Sequence, residues 1–258
     1  MKRHQTASED LLEFCRSREG WKRRLNEHAA TVLAGQDRSV QDLIDTVVSR
    51  SRARGADGVA LTGSTARGRR TARSDVDFLV VGPRPALDDL TMEVDVRVLT
   101  AGKLMARLEG GEEYVQWALR FGCILHDRGI FREASRLVLN GRLWPDPERK
   151  RGHARTLVDL AARILESGDR EAAEEAVRGG LTAVAHWILL SNRVFPLSRD
   201  ELSDQILELG SSDLAAALHR SIHSGPDVDE LAAALALAQH ALELTPDRAR
   251  SVALATAA

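Results

Sequence analysis

Cysteine is nearly missing from this 258-residue chain: Cys15 and Cys123 stand far apart and in no Cys-x-x-Cys pair. That excludes a disulfide framework and a thiolate zinc site, and it makes a reducing, cytoplasmic setting the expectation. Also lacking is any apolar run of the ~18 residues a spanning helix requires, and the first residues, MKRHQTASEDLLEF, contain no apolar leader segment. Neither export nor membrane insertion is expected. Proline and glycine are too few, at 7 and 19 positions, for a collagen-like chain, and no repeat of solenoid period is present. An excess of positive charge is missing too. With 36 Lys and Arg against 38 Asp and Glu the chain is not built to coat polynucleotide, which needs a clustered basic surface for counterion release.

What is present is a 43% hydrophobic fraction over a length that allows one large domain or two modest ones. Apolar residues recur at helical spacing over 9–33 and 38–53, as in Val40, Leu43, Ile44 and Val47. Short β-branched runs then mark strands at 58–62, 76–81 and 94–99, with a last one at 123–126. Gly82-Pro83-Arg84-Pro85 ends the second run, and the economical pairing for the second and third strands is antiparallel. Helical patterns fill 102–109 and 112–121, and beyond 131 only helices follow, near 131–140, 147–167, 169–192, 198–209, 211–223 and 227–244. The expected fold class is therefore α+β: a small mixed-sheet domain over 1–130, then an all-α bundle over 131–258 with short antiparallel connections.

Charge is uneven along the first half. Seven arginines and one acid, Asp57, lie between Arg50 and Arg73, while Asp88, Asp89, Glu93 and Asp95 follow. A small anion and a divalent cation both find partners there. The strand at 58–62 runs into Gly63-Ser64, where a residue without a side chain lets a phosphate approach the backbone and a hydroxyl can bond it. Eleven residues after Ser64 come Asp75 and Asp77, whose spacing of two turns both carboxylates to one strand face while Val76 and Phe78 face the core. Adjacent carboxylates repel unless a cation lies between them, and Mg²⁺ with phosphate oxygens suits that arrangement. Asp95 is a third acid on the next strand, inside the alternation of Val94, Val96 and Val98, with Glu93 two residues earlier on its face. Three such acids can hold two ions about 3.5–4 Å apart.

Gly63-Ser64, Ala66-Arg67-Gly68 and Ser74-Asp75-Val76-Asp77 together resemble the signature of the nucleotidyltransferase superfamily that includes DNA polymerase beta. The likeness is strongest to its antibiotic-modifying and minimal branches and covers about residues 58–100. It implies that Asp75, Asp77 and Asp95 bind two Mg²⁺ ions and that Gly63, Ser64, Arg67 and Ser74 form the seat of a nucleoside triphosphate, ATP being the commonest donor. It also implies transfer of a nucleoside monophosphate to an acceptor hydroxyl with release of pyrophosphate. Glu93 is a candidate general base, alongside Asp95 and, from the helical half, Glu166 or Asp169.

The long helical half resembles the acceptor-binding domain of antibiotic-modifying enzymes, so a small-molecule acceptor is the expectation. Modification of a partner protein or tRNA, and a catalytically silent nucleotide-binding module, are the competing readings. Other features have plainer explanations. The arginines at 67, 69, 70 and 73 serve as phosphate countercharge and a solvated turn, His126-Asp127 as a strand-end turn, and Glu112-Glu113 as acids favoured at a helix start.

Overall fold

The structure, a computed structural model, describes residues 31–71, 74–90, 93–139 and 143–243. The helix expected over 9–33 lies almost wholly outside them. The described residues up to Pro145 and those from Asp146 onward belong to two separate compact units.

In the first unit, Asp37 starts helix α1 (Arg38–Ala53) by accepting the Val40 N–H at 3.0 Å. Val40, Leu43, Ile44 and Val47 then form its buried stripe. Strand β1 (Gly58–Thr62) is buried along its whole length and runs into one short turn of helix, α2 (Gly63–Ala66). Strands β2 (Val76–Val81) and β3 (Val94–Leu99) follow, then α3 (Ala101–Glu109), α4 (Glu113–Phe121), β4 (Cys123–Asp127) and α5 (Ile130–Leu139). The sheet order is β3-β2-β1-β4, with β1 antiparallel to both β2 and β4. Alternate residues serve two cores. Val59, Leu61, Phe78 and Val80 pack with α1, while Ala60, Leu79, Val81 and Leu99 pack with Leu104, Leu108, Val115, Leu119 and Phe131 of α3, α4 and α5.

One expectation is overturned. β2 and β3 pair in parallel, with Asp77 opposite Asp95 and Leu79 opposite Arg97. The physical reason lies in the connection, which is long enough to return the chain to the starting end of β2 rather than fold back as a hairpin. Its Leu87 and Leu90 pack against the core that α1 shares. Arg50 of α1 donates to the Ala86 carbonyl at 2.8 Å and to Asp89 Oδ2 at 2.7 Å, which fixes the crossover on that face. The Arg50 guanidinium beside Asp89 holds that carboxyl down at about 2.

The division between the units also falls later than the expected 130/131, between Pro145 and Asp146. Asp127 starts α5 by accepting the N–H groups of Gly129 at 2.8 Å and Phe131 at 3.0 Å, so the strand end and the helix are one piece. Phe131, Ala134 and Val138 are buried in the sheet's second core. A Cβ on Gly58 would stand 2.9 Å from Phe131 Cδ2, so the bare β1 residue makes room for the ring. Phe131→Ala should therefore lower stability by ~3–4 kcal/mol, read from the urea unfolding midpoint. An unchanged midpoint would detach α5 from the sheet core.

The second unit is helical throughout among its described residues: α6 (Pro147–Glu166), α7 (Arg170–Ser191), a 3₁₀ turn at Arg199–Glu201, α8 (Leu202–Glu208), α9 (Ser212–His223) and α10 (Val228–Glu243). Pro147 at the first turn and the Asp146 cap, accepting from Glu148 N–H at 3.0 Å, set the start of α6. Ala154, Val158 and Ala161 of α6 and Ala173, Val177, Leu181 and Val184 of α7 are buried. Buried Gln205 holds the chain between α7 and the 3₁₀ turn, donating to the Phe195 carbonyl at 3.0 Å and accepting the Leu197 N–H at 2.9 Å. No described helix is long and apolar enough to cross a membrane.

Candidate active site

Two adjacent strands bring Asp77 and Asp95 into one row, which Thr62 of a third strand extends. Thr62, the last residue of β1, lies opposite Asp77, and Asp77 lies opposite Asp95. Residues paired directly across a sheet share a face, so all three project to the side covered by α3, α4 and α5. The next row inward is Ala60, Leu79 and Arg97. The acids thus stand at the end of a face that is otherwise apolar core, which is why Asp77 is only partly exposed to water.

That position has an electrostatic consequence. Burial pushes the Asp77 carboxyl up to about 6, with the charges of Asp75 and Asp95 adding and Arg97 opposing. Asp95, not Glu93, is therefore the β3 carboxylate whose charge acts on Asp77. Asp75 sits just before β2 and is partly buried, while Glu93 is exposed and its carbonyl accepts the Val76 N–H at 3.2 Å.

Gly63 makes room for Asp77. Its φ is +65°, and a Cβ there would lie 2.7 Å from Asp77 Cγ and nearer still to Oδ2. The space above the glycine is where the carboxylate lies. Ser64 is partly buried in α2, and its carbonyl accepts the N–H groups of Arg67 at 3.2 Å and Arg69 at 2.9 Å, which curls the Arg-rich loop back on the turn. Arg67 lays its guanidinium over Phe121 of α4, with Cζ 5.7 Å from the ring centroid. Ser74 Oγ accepts the Thr71 N–H at 3.0 Å and shares a 2.9 Å hydrogen bond with Thr71 Oγ1, so its hydroxyl closes the loop that leads to the acids.

Two residues beside the acids carry no sequence motif. Tyr114, the chain's single tyrosine, is on α4, with its hydroxyl 3.4 Å from Thr62 Oγ1. Burial raises its phenol, with Asp77 and Asp95 adding to the rise and Thr62 and Arg97 opposing it. Arg97 stacks on that ring with Cζ 3.8 Å from the centroid. Period-two alternation from Asp95 could have placed Arg97 on the acid face; nothing in the sequence points to Tyr114. Asp169 accepts the Ala172 N–H at 3.1 Å as the cap of α7, and Glu166 is exposed at the end of α6. Cys123 is buried, which pushes its thiol up to about 11 and leaves it inert as a nucleophile.

Residues 41–118, from within α1 to within α4, match the family profile of the nucleotidyltransferase domain. The chain carries a nucleotidyltransferase domain. Its enzymatic activity is nucleotidyl transfer, and enzymes of the family take a nucleoside triphosphate and a divalent metal. No curated protein matches the chain significantly. Among solved structures, a nucleotidyltransferase-like protein from Exiguobacterium sibiricum is similar at 16% identity and a TM-score of 0.43, over 83% of this chain and 78% of that one.

The donor set of the nucleotidyltransferase domain fits a hard divalent ion: three carboxylates, one of them lodged over a bare glycine, where burial first and then the charges of its two neighbours make ionisation without a cation costly. Among the described residues no three His, Cys, Asp or Glu side chains already stand in a metal-holding arrangement. Backbone register rather than converged oxygens unites the acids. Asp95→Asn should accordingly weaken Mn²⁺ binding about tenfold and Glu93→Gln leave it near wild type, compared by electron paramagnetic resonance. The reverse order would move the third acid to Glu93.

Proposed function

We propose that this nucleotidyltransferase moves a nucleoside monophosphate from a nucleoside triphosphate, ATP in the simplest case, to a hydroxyl of a small molecule such as an antibiotic. The observation that carries the reading is the row of Thr62, Asp77 and Asp95 beside Gly63, with Asp75 coupled to it. Asp75, Asp77 and Asp95 would hold Mg²⁺, which supplies charge neutralisation at the phosphates and a lower pKa for the acceptor hydroxyl. Gly63 and Ser64, at the first turn of α2, offer backbone amides without intrahelical acceptors to the β- and γ-phosphates. Arg67 adds positive charge on the α4 side of that seat, and Ser74 keeps the loop before Asp75 closed.

In the reaction, the acceptor oxygen bonds to the α-phosphorus as the bond from that phosphorus to the bridging oxygen breaks, and pyrophosphate leaves. The hydroxyl proton goes to a base, and Glu93 is exposed one residue before the strand that carries Asp95. Acceptor binding falls to the helical unit in this reading.

The test is incubation of the purified protein with Mg²⁺, each α-labelled triphosphate, and a panel of aminoglycosides, lincosamides, tRNA and cell lysate. Label on a small acceptor, with pyrophosphate released, supports the reading. Label on tRNA or a protein alone would replace it with modification of a macromolecule, and binding of nucleotide with no transfer to any acceptor would reduce the chain to a silent module.

A further inference from the structure

A cation already stands behind the acids. Arg97 follows Asp95 by two residues on the same face of β3, so about 6.5 Å of strand separates their Cα atoms, and it lies beside Leu79, the next residue of β2 on that face after Asp77. Its guanidinium is held flat against the Tyr114 ring at 3.8 Å. Tyr114 in turn reaches across β2 to Thr62 Oγ1 on β1, so the platform spans the row that holds the acids. The other fixed partner of Arg97 is Glu112, at a long 4.0 Å, and Glu112 is already bonded to Arg107 at 3.0 Å. Among the described residues no hydrogen bond is formed by the Arg97 guanidinium, and the side chain is 43% exposed. The positive charge is thus positioned by stacking and not neutralised by a close ion pair of its own.

We propose that Arg97, braced on Tyr114, is a charge gate for the acid row: it holds free divalent cations off Asp77 and Asp95 and admits a cation that arrives with the negative charge of a nucleoside triphosphate. A lone divalent ion entering the row gains the attraction of the carboxylates and meets the repulsion of Arg97, whose charge already acts on Asp77. The triphosphate's negative charge reverses the sign of that last interaction. Arg97 therefore couples the loading of metal and nucleotide and is a positioning group of the site, not a metal ligand. The inference rests on the reading of the acids as the metal-binding set.

The test is Mn²⁺ binding to the full-length protein without nucleotide, followed by electron paramagnetic resonance, and then with a triphosphate analogue whose α,β bridge resists cleavage. Arg97→Gln should bind Mn²⁺ alone about fivefold more tightly, and the analogue should strengthen Mn²⁺ binding less than in wild type. Arg97→Lys should stay near wild type in both. Arg97→Met, whose unbranched stem can still lie on the Tyr114 ring, is a second neutral variant and should repeat the Gln result. A merely structural arginine gives the opposite sign, because a disturbed site binds metal more weakly. Unchanged or weaker Mn²⁺ binding in the folded neutral variants, or an unchanged response to the analogue, overturns the gate. Asp77→Asn separates the two failures: if it binds Mn²⁺ like wild type, the metal-binding reading of the acids is itself wrong.

Discussion

Asp77→Asn should lower nucleotidyl transfer by about a thousandfold while making the metal-free protein more stable at pH 8. Loss of activity follows from removing the central donor of the acid row, and a thousandfold corresponds to about 4 kcal/mol of lost transition-state stabilisation. The gain in stability follows from where the carboxylate sits. Burial, with Asp75 and Asp95 adding, lifts its pKa from 3.8 to about 6 in the folded chain. Below 3.8 the group is protonated in both states and makes no difference. Between 3.8 and about 6 the folded protein keeps a proton that the unfolded chain has released, so stability falls as pH rises, and above about 6 the full penalty stands.

The side chain is only partly buried, so solvent screening reduces that penalty to on the order of 1 kcal/mol. Asparagine removes it, and the variant's melting temperature should change less than that of wild type between pH 4 and 6. Saturating Mg²⁺ should raise the melting temperature of wild type and leave that of Asp77→Asn nearly unmoved. A variant that melts below wild type at pH 8 without metal would show that Asp77 is a structural acid.

How much of this site could be read before the fold was known differs residue by residue. Asp75, Asp77 and Gly63 lie within one short segment, where strand alternation and turn chemistry suffice to put them together. Asp95 lies across a crossover, and its place depends on strand direction. Val94, Val96 and Val98 alternate identically in a parallel or an antiparallel strand, so the pattern fixes the face and not the direction. An antiparallel hairpin would have set Asp95 near the far end of β2, roughly four residues or 13 Å from Asp77. The parallel pairing is what makes Asp95 a neighbour, and it depends on Leu87 and Leu90 packing on the α1 core and on the grip of Arg50 on Ala86 and Asp89. No local rule in the sequence expresses contacts so distant in the chain.

The same limit explains the domain boundary. A helix that starts at Ile130 looks in sequence like the first of a helical series, and only the burial of Phe131 over Gly58 assigns it to the sheet. Tyr114 is more distant still. Its helical spacing predicts a core position, and the contact that matters, to Thr62 and Arg97, arises from α4 lying across the ends of β1 and β3.

Gly63→Ala is expected to damage the enzyme as severely as loss of the carboxylate itself, and for a reason that separates two explanations of the glycine. If the residue served only to let a phosphate approach, alanine would weaken triphosphate binding and leave the metal site and the stability of the free protein untouched. The geometry gives a different result. The new methyl would fall on the Asp77 carboxylate, at 2.7 Å from Cγ, and the φ of +65° is one that residues with a Cβ adopt at a cost. Strain of this kind is about 1–3 kcal/mol, and relief requires Asp77 to swing out of the acid row or α2 to shift away from β2. Either movement breaks the arrangement that couples Asp75, Asp77 and Asp95. The variant should therefore lose about a thousandfold in transfer, melt below wild type in the absence of any ligand, and bind Mn²⁺ at least tenfold more weakly without nucleotide. Because Asp77→Asn is expected to raise metal-free stability, the double variant Gly63→Ala/Asp77→Ala, which leaves the methyl an emptied space, should recover stability lost in the single glycine variant. Mn²⁺ binding at wild-type strength in a folded Gly63→Ala protein would return the glycine to a phosphate-approach role alone.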